Sequence, residues 1–379
     1  MNDPLGGLSP PQEPRGGPRE SAPDRGPAPA RPPAISTAVL AALMLAGFAA
    51  EGALGGWPTF DDELALLRLG ALFTPAVADG DWWRIGSYAF LHIGWVHLVV
   101  NLASLVSLMR WIEAAYGPLA AIGLFSASAI AGGALSAGVR LSAGSAGLAA
   151  GASGGIFGLL GAWIALWIRL RHRVPRAVFR AQLRAFGLTL VINALIAFQF
   201  PVDNFAHGGG LVCGFLLGLL APLPIADRRP WHIFGRAALL CSALALAAAE
   251  GAAIARAVHP LPRKLAAGPL HAAIPWYLAP YRPGVAVSPG GVGLRAGIGT
   301  YEGPPPTLGQ VELLGERRFR VWQERPNQGE ARDCLEKTEL VSEDDDHLVV
   351  LVCCAREGCL GSRGAELGRG MAASLQSTR

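Results

Sequence analysis

The sequence predicts an α-helical polytopic membrane protein: a six-helix core, a seventh C-terminal transmembrane helix and a small extracytoplasmic mixed α/β domain. Three observations carry that expectation. Of 379 residues, 51% are hydrophobic and 16% charged, and the mean hydropathy is +0.36, too apolar for a soluble enzyme of this length. Apolar stretches recur between residues 35 and 258 and then stop; several reach the ~20 residues that cross about 30 Å of hydrocarbon as helix. Arginine falls unevenly between alternate connections, which is how membrane helices are oriented.

Taken in order, residues 1–34 are dense in Pro and Gly, carry Arg15, Arg19, Arg25 and Arg31, and have too few large apolar residues to bury a core. They are expected to be a disordered cytoplasmic tail. Residues 35–225 hold six expected spans, at 36–56, 94–112, 117–138, 151–168, 185–200 and 205–222. The first has an alternative reading as a cleaved signal sequence, with Ala49 and Ala50 after the apolar run, but the tail before it is long for that. Residues 226–260 contain the extra span, at 236–258. Residues 261–379 form the expected C-terminal domain, with β-like runs near Val311 to Trp322 and His347 to Cys354 separated by Gly/Pro-rich turns.

An odd number of spans puts the chain ends on opposite sides. With the N-terminus inside, the cytoplasmic segments hold fourteen arginines: Arg15, Arg19, Arg25, Arg31, Arg110, Arg169, Arg171, Arg173, Arg176, Arg180, Arg184, Arg228, Arg229 and Arg236. The outer loops hold three, Arg68, Arg84 and Arg140. Fourteen against three places the C-terminal domain outside the cytoplasm; the membrane that the spans cross is expected to be a bacterial plasma membrane. Four cysteines, Cys334, Cys353, Cys354 and Cys359, fall in that domain, so one or two disulfides are expected. They form no C-x-x-C pair of the kind zinc sites use, and the acidic run Glu343 to Asp346 lacks the alternating spacing of a calcium loop. Neither a metal nor another cofactor is expected, and no nucleic-acid motif accompanies the net charge of +4. Cys213 and Cys241 lie in spans and read as small buried apolar residues.

Polar side chains inside spans are costly and by default mark function or a water-filled cavity. Three places stand out. His97 and Asn101 are an i,i+4 pair that shares one helix face; alone, the pair reads as interhelical glue. Gly151-Ala152-Ser153-Gly154-Gly155 feeds a glycine-rich turn into an apolar helix. Ser153 then sits in the first turn, where unpaired N–H groups and the helix dipole favour a developing oxyanion; alone, it reads as a helix cap. The third place is His207, near the outer end of the sixth span, followed by Gly210, Gly214 and Gly218 at four-residue intervals, a stripe that lets another helix approach closely. The topology puts His97, Ser153 and His207 at one depth in three separate helices. One site open to extracytoplasmic water requires that coincidence; independent structural accidents do not.

These residues resemble the signature of the rhomboid intramembrane proteases: H-x-x-x-N in His97 and Asn101, G-x-S-G in Gly151, Ser153 and Gly154, and A-H-x-x-G-x-x-x-G in Ala206, His207, Gly210 and Gly214. Trp83-Arg84 matches the W-R pair of the family's first outer loop. The resemblance covers roughly residues 36–222 and implies a catalytic Ser153–His207 dyad working without a cofactor. It also implies an oxyanion hole from His97, Asn101 and the Ser153 N–H, with Phe157 packed on the histidine and Gly151, Gly154 and Gly210 supporting the site. No acidic third member is implied; Asp203 is the one carboxylate close to His207 in sequence. The implied partners are transmembrane protein substrates, cut in the lipid bilayer where their outer ends unwind easily; oligomeric state stays open. The alternative is a catalytically silent, client-binding relative, a class that typically lacks the serine or the histidine. The extra span and the C-terminal domain have no counterpart in the resemblance.

Overall fold

The computed structural model describes residues 35–55, 62–199, 202–221, 232–267, 270–275, 278–282, 285–288, 294–300, 310–314, 317–324, 336–342, 346–352 and 364–377. The expected N-terminal tail, the four C-terminal cysteines and residues 343–345 of the acidic run lie outside them. Among the described residues, five helices are long and apolar enough to cross a membrane: α1 (Ile35–Gly55), α5 (Trp95–Tyr116), α6 (Pro118–Ser142), α7 (Ser153–Leu170) and residues 235–258 of α10 (His232–Val258). The other two expected spans correspond to α8 (Arg176–Gln199) and α9 (Asn204–Leu220). α9 is apolar but only 17 residues long. α8 begins nine residues before the expected 185 (185 − 176 = 9). Its first turns carry Arg176, Arg180 and Arg184, all exposed; hydropathy marks the apolar part of a helix and not its polar start.

The bundle packs through small residues. On α6 the buried positions include Gly123, Ser126, Ser128, Ala129, Gly132, Gly133, Ser136 and Ala137, while large side chains such as Val99, Val106, Leu188, Leu244 and Ile254 point outward. Lipid offers no hydrophobic drive for helices to associate, so contact between backbones through small residues does the work instead. Cys213 is half-buried, but Cys241, expected to be buried, is exposed on α10, because apolar spacing along a helix does not say which face a neighbour covers.

α1 is fastened to the segment around α5 at both ends by buried glutamates. Glu113 accepts from Ile35 N at 3.1 Å and from Ser36 Oγ at 2.5 Å, and Glu51 accepts from the backbone N–H of His92 at 2.8 Å. Between the two helices, residues 62–90 fold into α2 (Glu63–Leu69), α3 (Thr74–Ala78), α4 (Arg84–Ser87) and a 3-10 turn at Tyr88–Phe90. A two-residue strand β1 (Leu72–Phe73) pairs with β2 (Leu148–Ala149) and ties this loop to the approach to α7. Arg84, 3% exposed, organises the loop: Nε donates to Asp81 at 2.9 Å, and Nη1 donates to the carbonyls of Leu67 and Ala71 at 2.7 and 3.0 Å. Burial brings the Arg84 guanidinium down to about 10, against the pull of Asp81, so it stays charged at neutral pH. Burial would by itself raise the Asp81 carboxyl, but Arg84 and Arg263 hold it below the usual carboxylate range.

α10 lies against α2, α4 and α6, burying Leu239, Leu246, Ala249 and Ala253. The chain then enters antiparallel β-structure: β3 (Arg263–Ala267) and β4 (Leu270–Ile274), joined by β12 (Gln376–Ser377) in a three-stranded sheet. A seven-stranded sheet comprises β5 (Ala279–Arg282), β6 (Val285–Val287), β7 (Leu294–Thr300), β8 (Gln310–Leu314), β9 (Arg317–Glu324), β10 (Glu336–Ser342) and β11 (Asp346–Val352). Its order is β5-β6-β7-β11-β10-β9-β8, antiparallel throughout. One helix, α11 (Gly364–Ala373), joins Leu367, Met371 and Ala372 to a core with Leu340, Leu348 and Val350. Arg263, at the start of β3, pairs with Asp79 at 2.5 Å and with Asp81, linking this region to the loop between α1 and α5.

Candidate active site

The site forms where α7 begins. Gly151 N donates to the Tyr88 carbonyl at 2.9 Å, holding the turn before the helix against the 3-10 segment. Gly151 has φ +140°, a conformation that side chains rarely adopt, and a Cβ there would stand 2.7 Å from Cε1 of His97. The His97 ring thus lies against Gly151, on the side from which Ser153 Oγ is reached. Ser153 is the first residue of α7, so the N–H groups of its first turn have no intrahelical acceptor and point toward the serine end of the helix.

α9 meets α7 through glycine. A methyl at Gly210 would overlap the Gly154 carbonyl, and one at Gly214 would overlap that of Gly158, so the two backbones touch. That approach brings His207 Nε2 to 2.8 Å from Ser153 Oγ. With the ring proton on Nδ1, the serine hydroxyl donates to Nε2, the arrangement a base needs in order to take that proton. Phe157, one turn below Ser153, stacks on the His207 ring at a centroid distance of 4.2 Å and an interplanar angle of 9°. Asn101 is 4% exposed, and its Nδ2 has no hydrogen-bond partner among the described residues. An amide donor without an acceptor at such depth is available to an oxygen that arrives with a ligand.

Residues 79–222 match the family model described as the Rhomboid domain. The chain carries a rhomboid domain. Curated relatives include RHOMBOID-like protein 5 of Arabidopsis thaliana, 32% identical over 160 residues, 41% of this chain and 49% of that protein. Rhomboid-like protease 1 of Toxoplasma gondii is 34% identical over 185 residues, 48% of this chain and 62% of that protein. Rhomboid protease GluP of Bacillus subtilis (strain 168) is 33% identical over 191 residues, 49% of this chain and 34% of that protein. The matched segment therefore spans about half the length of these relatives. With its apolar helices, the chain is an integral membrane protein of mostly helical, polytopic build.

Within the rhomboid domain, several polar residues that the motifs do not mark stand around Ser153 and His207. Tyr88 donates to the Ala129 carbonyl at 2.9 Å, and its hydroxyl would lie 2.8 Å from a methyl at Gly154. His92 is fully buried, with its ring edge-on to that of His97 at 5.2 Å between centroids. Asp203 makes no hydrogen bond to the His207 ring. Its carboxylate accepts from Ser136, Arg140 and the Ala206 N–H. The signal for these partners was legible in principle, since Ser136 and Arg140 are an i,i+4 polar pair in an otherwise apolar span. Among the described residues no group of three His, Cys, Asp or Glu side chains is placed to hold a metal ion.

Proposed function

We propose that this protein is an intramembrane serine endopeptidase that cuts transmembrane segments of other proteins with a Ser153–His207 dyad. The observation that carries the reading is the 2.8 Å approach of His207 Nε2 to Ser153 Oγ at the first turn of a helix. His207 takes the hydroxyl proton as Ser153 attacks a peptide carbonyl, and the histidine returns the proton to the leaving amine. Water, deprotonated by the same base, then hydrolyses the acyl-enzyme. The N–H of Ser153, His97 and Asn101 are the donors for the oxyanion. Phe157 holds the imidazole plane, and Gly151, Gly154 and Gly210 permit the contacts that assemble the site. A peptide bond inside an intact helix is shielded by its own hydrogen bonds, so the substrate is a span whose outer end unwinds readily. The relatives named as rhomboid proteases agree with this activity. Purified protein reconstituted in vesicles should cleave such a span and should be labelled by a fluorophosphonate at Ser153; absence of both would remove the reading in favour of client binding without chemistry.

Asn101→Ala separates two parts of the mechanism. Loss of one oxyanion donor should lower turnover by about ten- to a thousandfold, while Ser153 remains reactive toward the fluorophosphonate. Turnover at the wild-type rate would exclude Asn101 from the oxyanion hole.

The chain is further proposed to cross a bacterial plasma membrane seven times, α10 included, with residues 1–34 inside and residues 261–379 outside. The fourteen-to-three arginine distribution supports it. A reporter after residue 379 should be extracytoplasmic, and one in the connection at Val174 cytoplasmic. Both on one side would refute the seven-span arrangement.

A further inference from the structure

α9 carries His207 in its first turn, and what precedes that turn decides where the imidazole sits. Asp203 is the N-cap of α9: one carboxylate oxygen accepts from Ala206 N at 3.0 Å. The other accepts from Ser136 Oγ at 2.5 Å and from Arg140 Nη2 at 3.1 Å. Ser136 and Arg140 stand one turn apart on α6, so a single half-buried carboxylate joins the start of the histidine helix to two successive turns of its neighbour. The same junction is held from below, where a methyl on Gly132 of α6 would overlap the Ala206 backbone at 2.5 Å. The cap occupies the donor of Ala206, the residue directly before His207, and leaves the imidazole without a carboxylate partner.

We propose that Asp203 is a positioning residue for the reaction, fixing the first turn of α9 against α6 so that His207 Nε2 stays within proton-transfer distance of Ser153. The inference rests on the Ser153–His207 reading above. Its chemistry is separable into two halves. Asp203→Ala removes the cap and both links to α6. Asp203→Asn keeps an oxygen that can accept from Ala206 N and an amide that can donate to Ser136, and loses the charge and the acceptor that pair with Arg140.

The test measures fluorophosphonate labelling of Ser153 and cleavage kinetics on the full-length protein in vesicles, per folded molecule. A shift of about 1 Å in a reacting group can cost on the order of a hundredfold. Asp203→Ala should lower kcat and the labelling rate together by about ten- to a hundredfold, with KM within about twofold, and Asp203→Asn should recover to within about threefold of wild type. Labelling of Asp203→Ala at the wild-type rate, or a loss confined to KM, would overturn the inference, because a merely structural cap does not act on the serine. If Asp203→Ala does not fold, Ser136→Ala and Arg140→Gln replace it, since each removes one bond to the carboxylate and leaves the cap. Slowed labelling in either supports the inference; wild-type rates in both overturn it. A wild-type protein whose labelling ignores His207→Ala fails the parent reading, and this inference with it. His207-dependent labelling that ignores Asp203→Ala fails this inference alone.

Discussion

Ser153→Ala, His207→Ala and the double variant should all cut a transmembrane substrate at the same background rate, roughly a thousandfold or more below wild type. The two side chains form one unit: Ser153 Oγ and His207 Nε2 are 2.8 Å apart, and neither has another reactive partner in the site. A serine without its base is a poor nucleophile, and a base without its serine has nothing to activate, so their losses do not add. Fluorophosphonate labelling should vanish in His207→Ala although the serine is still present. Asp203 offers no substitute base, because its carboxylate is occupied by Ser136, Arg140 and the cap. The measurement is initial cleavage rate in vesicles with each variant purified identically. Undiminished cleavage by Ser153→Ala, with contaminating proteases excluded, would end the mechanism, and a double variant much slower than either single one would separate the two residues into independent contributors.

The parts of this molecule that long apolar stretches dictate were legible in the sequence: α1, α5, α6, α7 and α10 begin and end within a few residues of their expected bounds. The loop of residues 62–90 was not. Its helices α2, α3 and α4 are 7, 5 and 4 residues long, too short to express a period; Asp62 and Gly70 cap α2 locally, but Arg84 joins α2 and the turn after it to α4 by hydrogen bonds to the Leu67 and Ala71 carbonyls that no local pattern announces. At the site, sequence motifs named Ser153, His207, His97 and Asn101, but motif spacing carries no information about how far α9 lies from α7. That distance is set by which residues face each other, Gly210 against Gly154 and Gly214 against Gly158, a pairing between helices about fifty residues apart. The long-range partners of Tyr88, His92 and Asp203 escaped for the same reason, although Asp203 itself was marked by its closeness to His207 in sequence. Each is bound to a distant backbone or side chain, and its role appears only when the helices are assembled.

The second large effect should come from Gly210, which makes no chemical contribution at all. Its hydrogen points at the backbone of α7, where a Cβ would overlap the Gly154 carbonyl. Backbone cannot rotate away as a side chain can, so Gly210→Val must push α9 off α7 or shift the start of one helix. Overpacking of this kind costs about 1–3 kcal/mol in folded proteins, and the catalytic cost is larger, because His207 lies three residues before Gly210 on the same helix. Any displacement of that turn lengthens the 2.8 Å contact to Ser153, and about 1 Å is enough to lose on the order of a hundredfold in rate. Gly210→Val is therefore expected to lose at least about a hundredfold in cleavage and in Ser153 labelling, with a lowered melting temperature in detergent. Gly208 supplies the contrast on the same helix: a Cβ there meets nothing within 4 Å, and alanine favours helix over glycine by about 1 kcal/mol. Gly208→Ala should melt at or above the wild-type temperature. If Gly210→Val labels and cleaves like wild type, α9 and α7 are not in backbone contact at this point, and the close approach that sets the distance from His207 to Ser153 must be made by some other pair of residues.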